Sequence, residues 1–330
     1  MIPFPSKPHQ VDAKIVEWRD IAGDSLRADV LETFSGHQIH ALTLTNPHVP
    51  RDCKRALYVS QPHAHEPGAT AGMVDVIEQL VRAFHLGGSP TMLDRDAILD
   101  RCVLTFNPIG NPQGRSRAPV DVWTGNDYTN AEFWCWMRGE HPDKPEEMWE
   151  RYDRYDDRSL RTPERPGIVY EQIDEHVWVE PNRDHGSSYF RLFARMDGVY
   201  RYDRWLDLHQ QEFVNSSYRS EIVLPIQATL DGQPQAIRDE INGWGQEIVA
   251  AWSAAGFDPM PQPRALPYSG QQAEYFVRTW GTLHQRMPII FTEIKNNAPD
   301  APPDFQIHSQ AIAIETTIAR MMRDLSTTQS

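Results

Sequence analysis

The feature of this chain that most limits its fold is an alternation of short apolar segments with longer amphipathic ones. Apolar runs predict strands at residues 40–45, 56–60, 102–106, 205–208, 221–225 and 288–292. Helical spacing of apolar residues predicts helices at residues 70–84, 236–254 and 309–325. The alternation favours an α/β layered fold. We expect one domain over residues 1–330, with a mixed, twisted central sheet and helices on both faces.

One long segment departs from this alternation. Residues 118–178 contain an aromatic cluster at 133–136 and then a stretch, 142–166, that is dense in charge, Pro and Tyr. Such composition is typical of a solvated face rather than of a core element. We interpret residues 118–178 as a surface insertion in the α/β domain.

Charge and composition exclude several classes of protein. The formal net charge is −14, which disfavours nucleic acid and anionic lipid surfaces as partners. The sequence has no run of 18 apolar residues, so no membrane-spanning helix is expected. The first residues lack the basic start and apolar stretch of a secretory signal, which makes the cytoplasm the expected location. The oligomeric state is not predicted. Three scattered cysteines are too few for a disulfide framework: Cys53, Cys102 and Cys135.

The first motif with chemical potential follows the apolar run at 56–60. His63 and Glu66 are three residues apart, and a tight turn between them would let both face one metal ion. The same spacing recurs at His209 and Glu212, so it is weakly informative by itself. His65 lies between the first two residues, and we expect it to be a substrate contact or a solvated side chain rather than a ligand.

A second motif places His209 at the end of a short apolar strand. One close pair of ligands and one distant ligand is the usual arrangement of a catalytic zinc site, which leaves a fourth position for water. His63, Glu66 and His209 therefore form the candidate ligand set. Glu212 is the alternative carboxylate.

A third motif is a carboxylate, that of Glu293, near the C-terminal end of the apolar segment 288–294. Glu293 is costly to bury there unless a proton, a cation or a metal compensates its charge. Its side chain could instead point to the opposite face and pair with Lys295. The residues alone leave both interpretations open.

The order of these motifs resembles that of the zinc carboxypeptidase family, whose type member is carboxypeptidase A. The resemblance extends from about residue 36 to residue 293 and includes, in the family's order, the segments GHQIHAL (36–42), HAHE (63–66), NPIG (107–110), EPNR (180–183) and DLH (207–209). The resemblance implies one Zn²⁺ per chain, held by His63, Glu66 and His209. It also implies a zinc-activated water as the nucleophile, with Glu293 as general base.

The resemblance implies roles for further residues. Arg117 would stabilise the oxyanion, although Arg115 or Arg138 could take its place. Asn182 and Arg183 would hold the terminal carboxylate of the substrate. The family has a Tyr on a mobile loop that closes over the substrate, and Tyr275 matches it, with Tyr268 as the alternative. Glu180 would bond the free ring nitrogen of His63.

The implied activity is hydrolysis of the C-terminal peptide bond of a peptide. An alternative is a zinc-dependent amidase or deacylase that acts on acylated amino acids or cell-wall peptides. In both cases the partner is a small substrate with a free carboxylate. A third possibility is an inactive binding protein on the same fold, but such a protein should lack a metal ligand or the base, and all four residues are present.

Overall fold

The computed structural model describes residues 2–211 and 214–327. Its strands are β1 (Leu26–Glu32), β2 (Gln38–Leu44), β3 (Arg55–Ser60), β4 (Cys102–Asn107), β5 (Glu140–His141), β6 (Lys144–Met148), β7 (Arg154–Asp156), β8 (Glu171–Gln172), β9 (Val177–Val179), β10 (Arg204–Gln211), β11 (Ser220–Leu224), β12 (Arg264–Ala265) and β13 (Ile289–Lys295). Its α-helices are α1 (Pro8–Ala22), α2 (Pro67–Arg82), α3 (Arg95–Arg101), α4 (Pro112–Arg117), α5 (Asn130–Arg138), α6 (Ser188–Tyr200), α7 (Gln227–Gly232), α8 (Gln235–Ala254), α9 (Gln271–Arg286) and α10 (Pro303–Thr327). Every predicted strand and helix corresponds to one of these elements.

The central sheet has eight strands in the order β1-β2-β4-β3-β10-β13-β11-β12. Strands β4, β3, β10 and β13 run parallel to one another, whereas β2 is antiparallel to both of its neighbours and β11 is antiparallel to β13. The predicted mixed sheet is therefore confirmed. Because β3, β10 and β13 are parallel, their carboxyl ends lie at one edge of the sheet, where α/β proteins usually bind ligands.

Both faces of the sheet are covered by helices, as predicted. Alternate residues of β3 belong to different cores: Leu57 and Val59 pack with α1, α2, α8 and α10, whereas Ala56 and Tyr58 pack with α6 and α9. Strands buried on both faces are apolar throughout rather than alternating. This is the physical reason that residues 56–60 form a continuous apolar run.

The start of α2 is held close to the sheet edge. Glu66 is its N-cap and Pro67 occupies its first turn, where the missing amide proton is not needed. Gly72 lets α10 approach closely, because a Cβ there would lie 2.4 Å from Cβ of Gln310. A substitution at Gly72 would therefore push α2 and α10 apart.

Residues 118–178 form a substructure with its own aromatic core. Strand β6 is exposed, while β7, β9 and β8 form a separate three-stranded sheet. Buried side chains from this segment, among them Phe133, Trp149 and Tyr170, pack together. The interpretation of residues 142–166 as a solvated face is wrong for Arg151, which lines the main cavity, as does Arg138 just before this stretch.

Within the described residues, no helix combines the length and the apolar character that a bilayer span requires. All three cysteines are free thiols, in agreement with the expectation that the chain has no disulfide framework. Cys102 is buried, and burial raises the pKa of its thiol to about 12. Cys102 is therefore protonated at neutral pH and behaves as a small apolar residue.

His284 lies in an aromatic cluster behind the main cavity. Its ring stacks on Phe276 at 5.3 Å between centroids, and neither ring nitrogen makes a hydrogen bond within the described residues. Burial lowers the pKa of His284 from 6.5 to about 3. The folded chain therefore holds this imidazole neutral, whereas the unfolded chain protonates it below pH 6.5.

We expect His284→Phe to make stability less dependent on pH. A depressed pKa contributes stability that is fully present above pH 6.5 and is lost as the pH falls towards 3. Between pH 7.5 and pH 5 the wild type should lose about 2 kcal/mol of unfolding free energy through this residue. Denaturant unfolding of both proteins at the two pH values measures the difference. The exposed His9 offers the control His9→Phe, and equal pH dependence in all three proteins would contradict the prediction.

Candidate metal centre and active site

Three side chains meet at the carboxyl edge of the sheet. His63 follows β3, Glu66 caps α2, and His209 lies near the end of β10. Nδ1 of His63 is 2.8 Å from Oε1 of Glu66 and 3.2 Å from Nδ1 of His209. Nδ1 of His209 is 3.3 Å from Oε2 of Glu66. The structure thus brings together the three predicted ligands, all of them buried.

Two of these distances, 3.2 and 3.3 Å, are close to those around a single metal ion, whereas the 2.8 Å between Nδ1 of His63 and Oε1 of Glu66 is shorter. A tetrahedral zinc ion with bonds of roughly 2.0–2.2 Å separates its ligand atoms by about 3.3–3.5 Å. The two Nδ1 atoms face each other, and Oε2 of Glu66 is buried without a hydrogen bond within the described residues. Two imidazoles and one carboxylate match the chemistry that zinc prefers. The residues present therefore fit the metal that the sequence motifs predict.

The other ring nitrogens are held by acids. Nε2 of His63 lies 3.1 Å from Oε1 of Glu180 and 3.0 Å from Oδ1 of Asn182. Nε2 of His209 lies 3.0 Å from Oδ2 of Asp207, whose Oδ1 accepts hydrogen bonds from Ser60 and Tyr189. Acceptors at both Nε2 atoms place the proton there and leave each Nδ1 lone pair to bind a metal.

The electrostatic environment of the cluster favours a cation. Burial by itself would lower the pKa of His63, but the carboxylates of Glu66 and Glu180 outweigh it and raise that pKa to about 9. Burial likewise opposes protonation of His209, yet Glu66 and Asp207 raise its pKa well above the usual value. An environment that favours a proton on each imidazole also favours a divalent ion between them.

His65 is not a solvated side chain. It is buried, its ring stacks on that of His63 at 5.1 Å between centroids, and its Nε2 lies 3.4 Å from Oε1 of Glu66. It also lines the main cavity, so the expected alternative of a substrate contact remains open. The expectation of a solvated side chain is wrong, because the aromatic ring of Phe133 packs against the imidazole.

The three ligands open onto a cavity of about 330 Å³. Glu293 lines it and is the register partner of His209 in the parallel pair β10–β13. Side chains at paired positions project to the same face of a sheet. Glu293 therefore faces the cavity beside the candidate ligand His209, and the alternative that it points to the opposite face is excluded.

A cluster of arginines and acids forms another wall of the cavity. Glu180 accepts from Nε of Arg151 at 2.8 Å and lies 3.1 Å from Nε of Arg183. Nη1 of Arg183 donates to Asp153 at 3.0 Å, while Nη2 is buried without a hydrogen bond within the described residues. Asn182 is adjacent. These residues present guanidinium and amide donors to any carboxylate that enters the cavity.

The structure does not bring Arg117 to this cavity. Its guanidinium donates to the main-chain carbonyls of Pro166, Gly167 and Tyr170 at 2.6–3.3 Å. These bonds turn the side chain towards the 118–178 segment. Arg115 is also used structurally, since it donates to the carbonyls of Ser6 and Ala64.

Arg138, the remaining alternative, does line the cavity. It lies at the end of α5, and its guanidinium carbon is 4.8 Å from the ring centroid of Trp134, which also lines the cavity. Of the three arginines weighed for oxyanion stabilisation, Arg138 is therefore the one whose position permits it.

Tyr275 lines the cavity but not from a mobile loop. It lies in the first turns of α9 and is buried, with the guanidinium carbon of Arg183 at 4.1 Å from its ring centroid. The expectation of a loop tyrosine is therefore corrected. Tyr268 precedes α9, is partly exposed and also lines the cavity, so it has the position that a closing side chain requires.

Three residues of the site, Asp207, Arg151 and Arg264, had been given no role from the sequence. Asp207 carried a detectable signal, because it lies two residues before His209 on the same side of the strand. Arg151, in the charged segment, carried none. Arg264 carried none either, because the two-residue strand β12 shows no pattern. The alternative ligand Glu212 lies outside the residues that the structure describes.

Comparison with known proteins places the fold. No protein-family model matches the chain, and no curated protein matches it in sequence. Solved structures do match: carboxypeptidase A from Helicoverpa armigera has a TM-score of 0.59 at 12% identity, over 96% of this chain and 73% of that chain. A metallo-carboxypeptidase from Burkholderia cenocepacia gives 0.57 at 12% identity, over 94% and 68% of the two chains. A metallo-carboxypeptidase from Pseudomonas aeruginosa, in complex with (2-guanidinoethylmercapto)succinic acid, gives 0.57 at 12% identity, over 95% and 69%. The chain therefore has the fold of these metallo-carboxypeptidases.

Proposed function

We propose that this chain, which has the metallo-carboxypeptidase fold, is a zinc-dependent hydrolase that releases the C-terminal residue of a peptide. One observation carries the proposal. A buried His63-Glu66-His209 cluster opens onto a cavity that also contains a carboxylate, Glu293, and donors for a substrate carboxylate. A binding protein would need the donors but would have no use for the ligand cluster and a base together.

The ligand cluster supplies the first requirement of the reaction. When bound, zinc acts as a Lewis acid on the scissile carbonyl and lowers the pKa of a water molecule. Glu180 and Asp207 keep the imidazoles of His63 and His209 oriented with Nδ1 towards the ion. The protein thus supplies a preformed site with room for a fourth ligand on the side of the cavity.

Glu293 is the proposed general base. It accepts a proton from the attacking water while the water oxygen forms a bond to the carbonyl carbon. The same proton then passes to the amide nitrogen as the C–N bond breaks. The products are a shortened peptide with a new carboxylate and a free amino acid, so one water molecule is consumed for each bond cleaved.

Arginines on two walls supply the remaining charge. Arg183, with Asn182, binds the terminal carboxylate, and its buried Nη2 has no other acceptor within the described residues. Arg138 stabilises the negative charge that develops on the carbonyl oxygen, the role that the sequence resemblance assigned to Arg117. Arg151 and Asp153 hold the carboxylate-binding group in place through Glu180 and Arg183.

Metal removal tests the proposal. We expect the purified chain to contain about one zinc ion, measured by mass spectrometry of metal content. It should hydrolyse blocked dipeptides, and 1,10-phenanthroline should abolish this activity until zinc is added back. Amino-acid release is followed by chromatography.

The outcomes separate the possibilities. Zinc content with cleavage of N-acylated amino acids but not of dipeptides would identify the deacylase alternative. A chain that contains no zinc, and binds none when zinc is added, would reject the proposal. Chelator-insensitive hydrolysis would also reject it, because the reaction would then not depend on the cluster.

A further inference from the structure

Three strands beside the metal ligands form one floor of the cavity. Strands β11 and β13 each contribute two side chains that are two residues apart and therefore project to the same face. Arg264 of β12 and Leu266, which directly follows β12, complete the floor. Val223 is the register partner of both Phe291 and Arg264, and Glu221 is the register partner of Glu293. The floor consists of Glu221, Val223, Arg264, Leu266, Phe291 and Glu293, all of which line the cavity.

The charges on this floor are unequally exposed. Arg264 donates from Nε to Oε2 of Glu221 at 2.5 Å and from Nη2 to Oε1 at 3.0 Å. The side chain of Glu221 is 6% exposed, whereas that of Arg264 is 34% exposed. The acid therefore lies beneath the arginine, with both of its oxygens occupied, and the group presented to an incoming molecule is the guanidinium.

Arg264 retains donors for a ligand. Within the described part of the chain, its hydrogen bonds to Glu221 use Nε and Nη2 and leave Nη1 unbonded. A guanidinium can bind one carboxylate through Nε and Nη2 and a second through Nη1 and the remaining Nη2 proton. Beside it, Val223, Leu266 and Phe291 supply an apolar surface. The floor thus matches a short aliphatic stem that ends in an anion.

We infer that the residue which this site binds and releases is acidic, with a side-chain carboxylate of the glutamate or aspartate type held by Arg264. Release of the acidic residue depends on the proposed function, whereas binding of that residue does not. It adds to the Arg183 group a second anion site at the floor of the cavity. The bound residue is therefore a dicarboxylate, with one carboxylate at each arginine.

A basic side chain fits this floor poorly. It would approach the partly exposed guanidinium of Arg264, while Glu221 beneath that guanidinium already accepts two hydrogen bonds from it. Glu293 also faces the cavity, but the proposed reaction requires its oxygens for the proton transfer. A purely apolar side chain would leave the Arg264 donors without an acceptor in a partly dehydrated cavity.

The test compares isosteric ligands in two assays. Hydrolysis of blocked dipeptides that end in Glu, Gln, Lys or Phe gives kcat/KM for each. Calorimetry on the zinc-loaded protein gives the affinity for N-acetyl-L-glutamate and for N-acetyl-L-glutamine, and this measurement does not depend on turnover. We expect Glu to exceed Gln by at least about tenfold in both assays, the size of one charge-assisted hydrogen bond.

Two variants separate recognition from structure. Arg264→Met should reduce the Glu-to-Gln ratio to about one, because it removes the donors while keeping a similar length. Glu221→Gln should increase that ratio, because the guanidinium is no longer neutralised. A purely structural ion pair would affect both ligands alike in both variants. Arg158→Gln, at an exposed arginine paired with Asp156 outside the cavity, is the matched control and should leave the ratio unchanged.

The results distinguish this inference from the proposed function. Glutamate-selective binding without hydrolysis of any dipeptide would support the inference and reject the proposed function. Hydrolysis with equal rates for Glu and Gln, or with Lys preferred, would overturn the inference and leave the function intact. A ratio that Arg264→Met does not change would also overturn it, and thermal unfolding shows whether each variant is folded.

Discussion

Glu293→Gln is expected to lower kcat by about a thousandfold while the metal content and KM stay close to those of the wild type. Glutamine has the size of glutamate and keeps its place in β13, but it cannot accept the proton of the attacking water. The register pairing with His209 holds this position next to the metal ligands, so the loss should be confined to the chemical step. Steady-state kinetics together with metal analysis of the same preparation give all three quantities.

The control for this prediction is the same substitution elsewhere. Glu247, on α8, pairs with Arg320 and Arg323 and does not line the cavity. Glu247→Gln should have kcat within about twofold of the wild type, since surface substitutions have small effects. A residual kcat of Glu293→Gln within tenfold of the wild type would reject Glu293 as the base. The neighbouring carboxylate Glu221 would then be the next residue to test.

His209→Ala is expected to abolish tight metal binding. It removes one of three ligands and leaves the buried carboxylate of Asp207 without the imidazole that it contacts at 3.0 Å. After dialysis against zinc-free buffer, zinc content should fall from about one ion per chain to near zero. Added zinc should raise the Tm of the wild type but not that of the variant, because only a protein that binds the ion in its folded state is stabilised by it.

His40→Ala is the control for the loss of a histidine. His40 is in β2, pairs with Asp12 at the surface and lies outside the cavity. The His40→Ala variant should retain the zinc content of the wild type, and added zinc should raise its Tm as it does that of the wild type. Full zinc content in His209→Ala would show that a different third ligand holds the ion, and Glu212 would then have to be tested.

The local parts of the site were predictable from the sequence. The strand β3, the ligands His63 and Glu66 and the helix α2 are consecutive, so their proximity depends on one turn. The apolar run of β3 and the Pro at the start of α2 are signals that act over a few residues. The same holds for Asp207 and His209, because a strand places residues two apart on one face.

The side chains that reach the site from distant segments could not be placed from sequence patterns alone. Arg117 matched the family's spacing, yet its guanidinium binds carbonyls about 50 residues further along the chain, in the 118–178 segment. No periodicity reveals which carbonyls a buried arginine will meet. Tyr275 was expected to close over the substrate from a mobile loop, whereas it lines the cavity from α9, a helix that was not predicted.

The segment 118–178 shows that composition does not reveal which residues of a charged segment pack into a core. Its charge density suggested a solvated face, and β6 is indeed exposed. However, Trp149 and Tyr155 pack with Tyr170 into a separate core, which anchors the segment against the domain. This packing places Arg151 beside Glu180, and the two charges pair in a buried position.

By itself, the sequence predicted the α/β sheet from its patterns of apolar and polar residues, and the candidate ligand set His63, Glu66 and His209 from the order of its motifs. It left the direction of the Glu293 side chain open. The tertiary structure alone decided which arginines reach the cavity and which carboxylate faces which cation. Strand pairing between β11, β12 and β13 brings Glu221, Arg264 and Glu293 together from segments about 30 to 70 residues apart. Such pairings are set by how whole elements pack, and a long, flexible side chain then turns to the partner that this packing provides.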